Sequence, residues 1–144
     1  MIAVDTNLLV YAHREDSPHH QVAAQTLQDL ASSTSPWAVP RPCLHEFLAV
    51  VTHPRIYQPP TPMSVALDAV AALVGSANLH LLSETSDHVS ILATLLDGGA
   101  VVGPKVHDAR IAAICLGHGV TTLWSADRDF SWFPSLTVRN PLIA

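Results

Sequence analysis

The chain has 144 residues, of which 49% are hydrophobic and 13% are charged, and its formal net charge is −5. This length predicts a single domain over residues 1–144, and so apolar a composition excludes an intrinsically disordered chain. The negative charge excludes a nucleic-acid clamp that is cationic over its whole surface. It allows nucleic acid to bind where a divalent metal ion supplies positive charge locally.

The sequence indicates a reducing compartment. Its two cysteines, Cys43 and Cys115, are too few for a disulfide scaffold, and both lie in apolar helical patterns where a buried thiol is expected. The amino-terminal residues resemble no secretory signal, and no apolar stretch is long enough to span a bilayer. We therefore expect a soluble, cytoplasmic protein with no membrane partner.

The first third of the chain alternates short apolar runs with helical patterns. Ile2–Val4 predicts a buried strand and Thr6–Tyr11 a helix. Pro18 opens a second helix, whose predicted buried face carries Val22, Ala23, Leu27 and Leu30. A short strand is predicted over 37–39. The helix that follows from Pro42 to about His53 has an apolar stripe of Leu44, Phe47, Leu48 and Val51.

The rest of the chain continues this alternation. It predicts a loop over 59–62, a helix over 63–74 ended by Gly75, a strand over 79–82, a helix over 86–97, a mobile connection over 99–105, a helix over 106–116, a strand over 120–124 and an edge strand over 137–139. Strands that alternate with helices favour a mostly parallel α/β sheet with helices on both faces.

Several acidic residues fall at the predicted strand ends. Asp5 follows the first strand, and Asp127 and Asp129 follow the strand over 120–124. The carboxyl edge of an open α/β sheet is where ligands bind. Asp108 lies in the first turn of its helix, and Glu46 lies beside an apolar stripe, where we expect it to be half-buried.

Four carboxylates on one rim repel each other unless a cation lies between them. Oxygen ligands without clustered histidine or cysteine suit Mg²⁺ or Mn²⁺ rather than Zn²⁺. Such a site activates water and stabilises the transition state of phosphodiester hydrolysis. The pattern therefore predicts that Asp5, Glu46, Asp108 and Asp127 form a metal site.

Each of these residues also has a purely structural interpretation. Asp108 favours a helix N-terminus through the helix dipole, and Asp5 is able to cap the next helix. Asp127 and Asp129 flank Arg128 in what can be a solvated turn with a local ion pair. Glu46 is the hardest to explain in this way, because an acidic group beside apolar residues lowers stability unless it has a partner.

An ordered set of short motifs extends nearly from end to end of the chain. They are Asp5-Thr6-Asn7, Asp16-Ser17-Pro18-His19-His20, Leu44-His45-Glu46-Phe47-Leu48, Val51-Thr52-His53-Pro54-Arg55, His107-Asp108-Ala109-Arg110, Thr122-Leu123-Trp124-Ser125-Ala126-Asp127-Arg128-Asp129-Phe130, Phe133-Pro134 and Asn140-Pro141. Each motif is weak alone, but the ordered set resembles the PIN-domain ribonucleases and, within them, the VapC toxins of bacterial toxin–antitoxin pairs.

This resemblance implies a three-layer α/β/α fold, endoribonuclease activity that needs Mg²⁺ or Mn²⁺, a homodimer, and a cognate VapB-type antitoxin. It implies that Asp5 and Asp108 bind metal, that Glu46 completes the site and that Asp127 is its fourth acidic residue. Asn7 matches a residue that orients Asp5 or the bound water, and Asp129 has a supporting role. Many relatives carry threonine where this chain has Ser125-Ala126, so support for Asp127 is expected to be weaker here.

Cations and aromatic residues near these motifs are candidates for RNA contacts. The candidate phosphate contacts are Arg14, Arg41, Lys105, Arg110 and Arg128, with solvated surface charge as the alternative. The three tryptophans, Trp37, Trp124 and Trp132, are able to stack on bases, but buried packing is the favoured interpretation.

Three competing interpretations are open to test. Cys43, His45, Cys115 and His118 have the ligand types for zinc but no zinc-finger spacing. An aspartate-based phosphatase would need a second aspartate at the position of Asn7. A non-catalytic interaction module that keeps only the fold is disfavoured by the presence of all four acidic residues together.

Overall fold

The computed structural model describes residues 1–143, apart from the side chain of Asp129. Within this part of the chain a five-stranded, wholly parallel sheet has the order β3-β2-β1-β4-β5. The strands are β1 (Ile2–Val4), β2 (Trp37–Pro40), β3 (Leu79–Leu82), β4 (Thr122–Trp124) and β5 (Thr137–Arg139). The first strand of the sequence is thus the centre of the sheet.

Helices flank the sheet and complete the predicted α/β/α layers. They are α1 (Thr6–His13), α2 (His20–Ser32), α3 (Arg41–Val51), α4 (Met63–Val74), α5 (His88–Leu96) and α6 (Val106–Gly117). Two 3₁₀ segments are present as well. Gly103–Lys105 precedes α6, and Arg128–Trp132 follows β4. Helix α1 packs against both α2 and α3, and α5 packs against α6.

The core consists of the central strands and the inner face of α6. Ala3 and Val4 of β1 and Leu123 of β4 are fully buried, as are Trp37 of β2 and Ile114 of α6. Such continuous apolar strands are typical of a parallel sheet that is covered on both faces. Among the described residues, no helix is both long and apolar enough to cross a bilayer.

The predicted order of strands and helices is confirmed, but two local predictions, both on α2, are wrong. Val22 is 46% exposed, so the buried face of α2 rests on Ala23, with Leu27 and Leu30 only half-buried. Helix α2 begins at His20 rather than Pro18, because the Ser17 hydroxyl and carbonyl accept bonds from the backbone N–H groups of His19 and His20 and form a turn there.

The connection over 99–105 was predicted to be mobile, and its mobility stays a prediction. Val101 is buried in the core within it, and Gly103 begins the 3₁₀ segment with a φ of 62°. A positive φ of this kind is readily adopted by glycine, which has no Cβ. The connection therefore ends in a turn that leads into α6.

Candidate active site

The four predicted carboxylates line one cavity of about 360 Å³. Asp5 and Asp127 reach it from the carboxyl ends of the neighbouring strands β1 and β4, Glu46 from α3, and Asp108 from the first turn of α6. The other lining residues are Thr6, Asn7, Val10, Tyr11, Val50, Ile56 and Tyr57. Side chains that are up to 122 residues apart in sequence therefore line the same cavity, at the edge of the sheet where ligands were predicted to bind.

Asp5 is the most deeply buried of the four, with 5% of its surface exposed. One carboxylate oxygen, Oδ1, accepts bonds from the Thr6 backbone N–H at 2.8 Å and the Cys43 thiol at 3.5 Å. The other, Oδ2, accepts a bond from the Ser125 hydroxyl at 2.7 Å. Burial raises the pKa of Asp5 above its usual value, with a further contribution from the charge of Glu46.

The structural interpretation of Asp5 is thus correct and incomplete. Asp5 caps α1 through its contact with Thr6, as a strand-end aspartate does. The cap alone does not explain why this carboxylate is buried beside a second acidic group. A cation in the cavity would lower the free-energy cost of keeping that charge buried.

Glu46 has the partner that its apolar surroundings require. Its Oε2 accepts a bond of 2.7 Å from the Thr6 hydroxyl, across 40 residues of sequence. Glu46 is half-buried, as predicted. Thr6 thus contacts both acidic residues, through its backbone N–H to Asp5 and through its hydroxyl to Glu46.

The Ser125 hydroxyl makes the supporting contacts that were expected from a threonine. It donates to Asp5 and accepts from the backbone N–H of Asp127 at 2.9 Å. The expectation that support for Asp127 is weaker in this chain is therefore wrong, because serine carries the same hydroxyl at the residue before Ala126. Asn7 donates to Ser125 at 3.4 Å and accepts from the backbone of Ala126 at 3.2 Å, so it acts on Asp5 through Ser125.

Asp108 and Asp127 are half-buried and line the cavity, which agrees with their predicted places. The prediction for Asp129 concerns a side chain that lies outside the described residues. Backbone bonds fix the ends of the strands beneath these groups. The Asp5 N–H donates to the Trp124 carbonyl at 3.0 Å, and the Ser125 N–H donates to the Arg139 carbonyl at 2.9 Å.

The donors in the cavity fit a hard divalent cation. Carboxylate and hydroxyl oxygens predominate, and burial raises the pKa of the Cys43 thiol well above its usual value, so it is no thiolate ligand. Within the described residues, no three histidine, cysteine or acidic side chains stand together as a ready ligand set. This arrangement fits Mg²⁺, which uses one or two carboxylates and keeps several water molecules.

The zinc alternative is wrong for the residues that the structure describes. Cys43 is directed at Asp5, and the Nε2 atom of His118 contacts the Ser83 carbonyl at 2.8 Å. His45 is exposed, and no cluster of these side chains is formed in the described chain.

The predicted basic contacts differ in their surroundings. Arg110 binds Glu84, with its Nε 2.6 Å from Oε1, and Arg14 binds Asp16 with its Nη2 2.7 Å from Oδ2. Both are therefore held in surface ion pairs. Arg41, Lys105 and Arg128 are exposed, as phosphate contacts need to be.

The tryptophan prediction is correct for Trp37, which is buried, and Trp124 is half-buried. It is wrong for Trp132, which is 49% exposed and has the Lys105 ammonium 5.5 Å from its ring centroid. Trp132 lies in the 3₁₀ segment after β4. The other aromatic residue of that segment, Phe130, is buried in the core.

Comparison with known proteins places this geometry in a family. A model described as the PIN domain matches residues 2–134. Ribonuclease VapC31 of Mycobacterium tuberculosis is 32% identical over 143 residues, which cover 99% of this chain and all of that protein. Ribonuclease VapC43 of the same species is 36% identical over 142 residues, which cover 99% and 96%. The chain belongs to the VapC ribonucleases of the PIN-domain family.

Solved structures share the PIN fold of this chain. VapBC2 of Rickettsia felis, bound to a DNA fragment from its promoter, matches with a TM-score of 0.69 at 19% identity, over 97% of this chain and 98% of that one. VapC20 of Mycobacterium tuberculosis, a toxin that cleaves the sarcin–ricin loop, matches with a TM-score of 0.67 at 19% identity, over 91% and 93%. At this identity the likeness establishes the fold.

Sequence reasoning missed two kinds of residue in this PIN domain. Thr6 was part of a motif, but its contact with Glu46 joins distant segments, and no local pattern encodes it. Ile56 and Tyr57 line the cavity from the loop between α3 and α4. An apolar residue next to an aromatic one in the loop after the helix that carries Glu46 was the available signal.

Proposed function

We propose that this VapC ribonuclease is a metal-dependent endoribonuclease and the toxin of a type II toxin–antitoxin pair, acting in the cytoplasm. The observation that carries the proposal is the convergence of Asp5, Glu46, Asp108 and Asp127 on one cavity. A bound Mg²⁺ or Mn²⁺ ion would activate water and offset negative charge at the attacked phosphate. That chemistry leaves a 5′-phosphate and a 3′-hydroxyl and needs no attack by the RNA 2′-hydroxyl.

The chain's own residues supply the arrangement around the ion. Asp5 and Asp108 are the proposed metal ligands, and Glu46 and Asp127 complete the acidic wall. Ser125 holds Asp5, and Thr6 holds Glu46, each through a hydroxyl bond of 2.7 Å. Groups held in this way need no rearrangement when the reaction begins.

The test is to sequence RNA 5′ ends after expression of the wild type and of Asp108→Asn. We expect new 5′-phosphate ends with the wild type and their loss with Asp108→Asn. The matched control is Asp68→Asn, which removes an exposed carboxylate on α4 and should cut like the wild type. New ends of equal number with Asp108→Asn would overturn the proposal.

A VapB-type antitoxin is the proposed partner. The related structures include the VapBC2 complex of Rickettsia felis and a toxin–antitoxin complex from Klebsiella pneumoniae. In this chain, an apolar cavity of about 270 Å³ lies between α1, α2, α3 and α4 and would suit an apolar helix face. Its lining residues are Leu9, Ala12, His13, Leu27, Phe47, Ala69, Val70, Ala72 and Leu73.

A homodimer is proposed as well. Helix α4 exposes Met63, Leu67 and Val74, which are four and seven residues apart and thus lie on one face. An apolar face of this kind is typical of a protein interface. Light scattering should give twice the chain mass, and Leu67→Lys should reduce it to one chain.

The other functions considered for this chain have less support. A phosphatase would need an aspartate in place of Asn7, and both polar ends of the Asn7 amide already contact residues 125 and 126. A non-catalytic module gives no reason to bury Asp5 beside Glu46. Calorimetry with Mg²⁺ distinguishes the nuclease from the module, because a module would take up no ion. Incubation with a phosphomonoester tests the phosphatase.

A further inference from the structure

The lining of the acidic cavity combines two unlike chemistries. Beside the four carboxylates stands an apolar set of side chains that the metal reaction does not use, namely Val10, Tyr11, Val50, Ile56 and Tyr57. Ile56 is 53% exposed, although an apolar side chain gains stability when it leaves water. Val10 is buried and Tyr11, Val50 and Tyr57 are half-buried, so Ile56 is the exposed member of this set. An exposed apolar side chain beside the acidic cavity is suited to contact substrate.

The loop that carries this surface is held in place. The backbone N–H of Tyr57 donates to the His53 carbonyl at 3.1 Å, and the N–H of Thr61 donates to the Val51 carbonyl at 2.8 Å. Thr61 is itself buried. These bonds fix the loop to the end of α3 at Tyr57 and at Thr61.

Arg14 packs on the ring of Tyr57 and bonds to the same loop. Its guanidinium lies 4.4 Å from the ring centroid and bonds to the Pro59 carbonyl at 3.0 Å and the Thr61 hydroxyl at 3.2 Å. The ion pair with Asp16 orients the same group. With only 12% of its side chain exposed, Arg14 is poorly placed to bind phosphate and well placed to support the ring.

An RNA strand matches both chemistries of the cavity. Its phosphates carry charge and need the cation, whereas its bases are flat, neutral and apolar on their faces. Unstacked bases of single-stranded RNA bind by stacking on aromatic side chains. A base in a duplex is already stacked and has no open face.

We propose that Ile56 and Tyr57 form a platform on which an unstacked base next to the cleaved bond stacks, with Arg14 as the residue that positions Tyr57. The proposal rests on the proposed ribonuclease function and deepens it by naming the residues that would contact a base beside the cleaved bond. The platform selects RNA that has an accessible, unstacked base. A base bound there places the neighbouring phosphate beside the carboxylates.

The test uses a single-stranded RNA oligonucleotide that contains one cleaved bond, together with copies that lack the base on either side of that bond. KM and kcat are measured for the wild type and for Tyr57→Ala, Tyr57→Phe and Arg14→Ala. Tyr57→Ala should raise KM roughly tenfold to a hundredfold with a smaller change in kcat, and Tyr57→Phe should behave like the wild type. Val89→Ala, at an exposed apolar residue of α5, is the matched control.

The base-free oligonucleotides decide the result. In the wild type, removal of one flanking base should raise KM by a factor similar to that of the Tyr57→Ala substitution. In Tyr57→Ala the same removal should not raise KM further, because the substitution has already removed the stacking contact. Arg14→Ala should raise KM for the intact RNA but leave KM for that base-free RNA unchanged.

Equal effects of base removal on the wild type and on Tyr57→Ala would overturn the platform and leave the ribonuclease function standing. A fall in kcat at constant KM in Tyr57→Ala would overturn it too, since the ring would then act only on the geometry of the acidic residues. If the wild type cuts no RNA, the ribonuclease function fails and the platform fails with it. Thermal unfolding of each variant identifies any that do not fold, and Tyr57→Leu then replaces Tyr57→Ala.

Discussion

One hydroxyl, that of Ser125, joins two of the segments that carry the acidic residues. It contacts the carboxylate of Asp5 at 2.7 Å and the backbone of Asp127 at 2.9 Å, and it is buried. A buried hydrogen bond to a charged group stabilises more than one between neutral groups. Ser125 therefore affects both the free energy of unfolding and the placement of the site.

We expect Ser125→Ala to lower the free energy of unfolding by about 1–3 kcal/mol, because it leaves a buried carboxylate oxygen and a backbone N–H without this partner. The same change should reduce RNA cleavage. Ser125→Thr keeps the hydroxyl and should retain most of both. Urea unfolding and a cleavage assay measure the two effects, and an alanine variant as stable and active as the wild type would contradict this role.

The places of Asp5, Asp108 and Asp127 could be predicted, since strand ends and first helical turns are recognisable in sequence, and Glu46 was recognisable as an acidic residue in an apolar helix. Their supporting contacts could not, because the Thr6–Glu46 pair spans 40 residues and the Ser125–Asp5 pair spans 120. The predicted role of Arg14 as a phosphate contact remains untested, although its ion pair and its place over Tyr57 favour a positioning role. The Thr6–Glu46 and Ser125–Asp5 pairs follow from the packing of distant segments against each other, and no short motif encodes that packing.

At the scale of the element, helix α1 connects the acidic cavity with the helices around it. Asp5 caps its first turn, and His13 lies in its last turn. The Nε2 atom of His13 is 3.1 Å from the Thr61 hydroxyl, and its ring meets Phe47 edge-on at 5.4 Å. Both ends of α1 therefore contact residues that belong to, or support, the walls of the site.

The surroundings of His13 make this contact sensitive to pH. Burial lowers the pKa of His13 below its usual value, and the charges of Arg14 and His20 lower it further. The folded chain therefore binds a proton less readily than the unfolded chain, so stability falls as pH drops below about 6.5 and through the lowered pKa. The loss levels off once His13 is protonated in both states.

We expect the wild type to lose more thermal stability than His13→Gln when the pH is lowered from about 7.5 to about 5.5. Glutamine keeps a polar group for Thr61 but does not titrate. Differential scanning calorimetry at the two pH values measures the difference. His80→Gln, at an exposed histidine of β3, is the control and should behave like the wild type. An equal loss in His13→Gln and the wild type would contradict the assignment.

The order and type of the elements could be predicted because their apolar patterns are strong, as for α4, whose bounds Met63–Val74 were those expected. Ends and faces were less predictable. Val22 has the spacing of a buried residue, yet the face of α2 that meets α1 is set by Ala23. Which residues of an amphipathic helix become buried depends on the angle at which it packs, and sequence does not give that angle.

At the scale of the molecule, the strand order creates the site. Because β1 and β4 are neighbouring parallel strands, their carboxyl ends bring Asp5 beside the Ser125–Asp127 segment, while α3 and α6 bring Glu46 and Asp108 to the same edge. The fold thus gathers like charges that repel each other. Binding of a cation would favour the folded chain over the unfolded one, which holds no such cluster.

Mg²⁺ should therefore raise the thermal stability of the wild type, and EDTA should remove the gain. A free ion concentration of 100 times Kd corresponds to about 2.7 kcal/mol of stabilisation. Asp5→Asn should show little gain, because the most buried carboxylate is lost. In EDTA that variant should be at least as stable as the wild type, since burial of an amide costs less than burial of a charge. Asp68→Asn should respond to Mg²⁺ like the wild type, so an equal response from Asp5→Asn would show that the ion binds elsewhere.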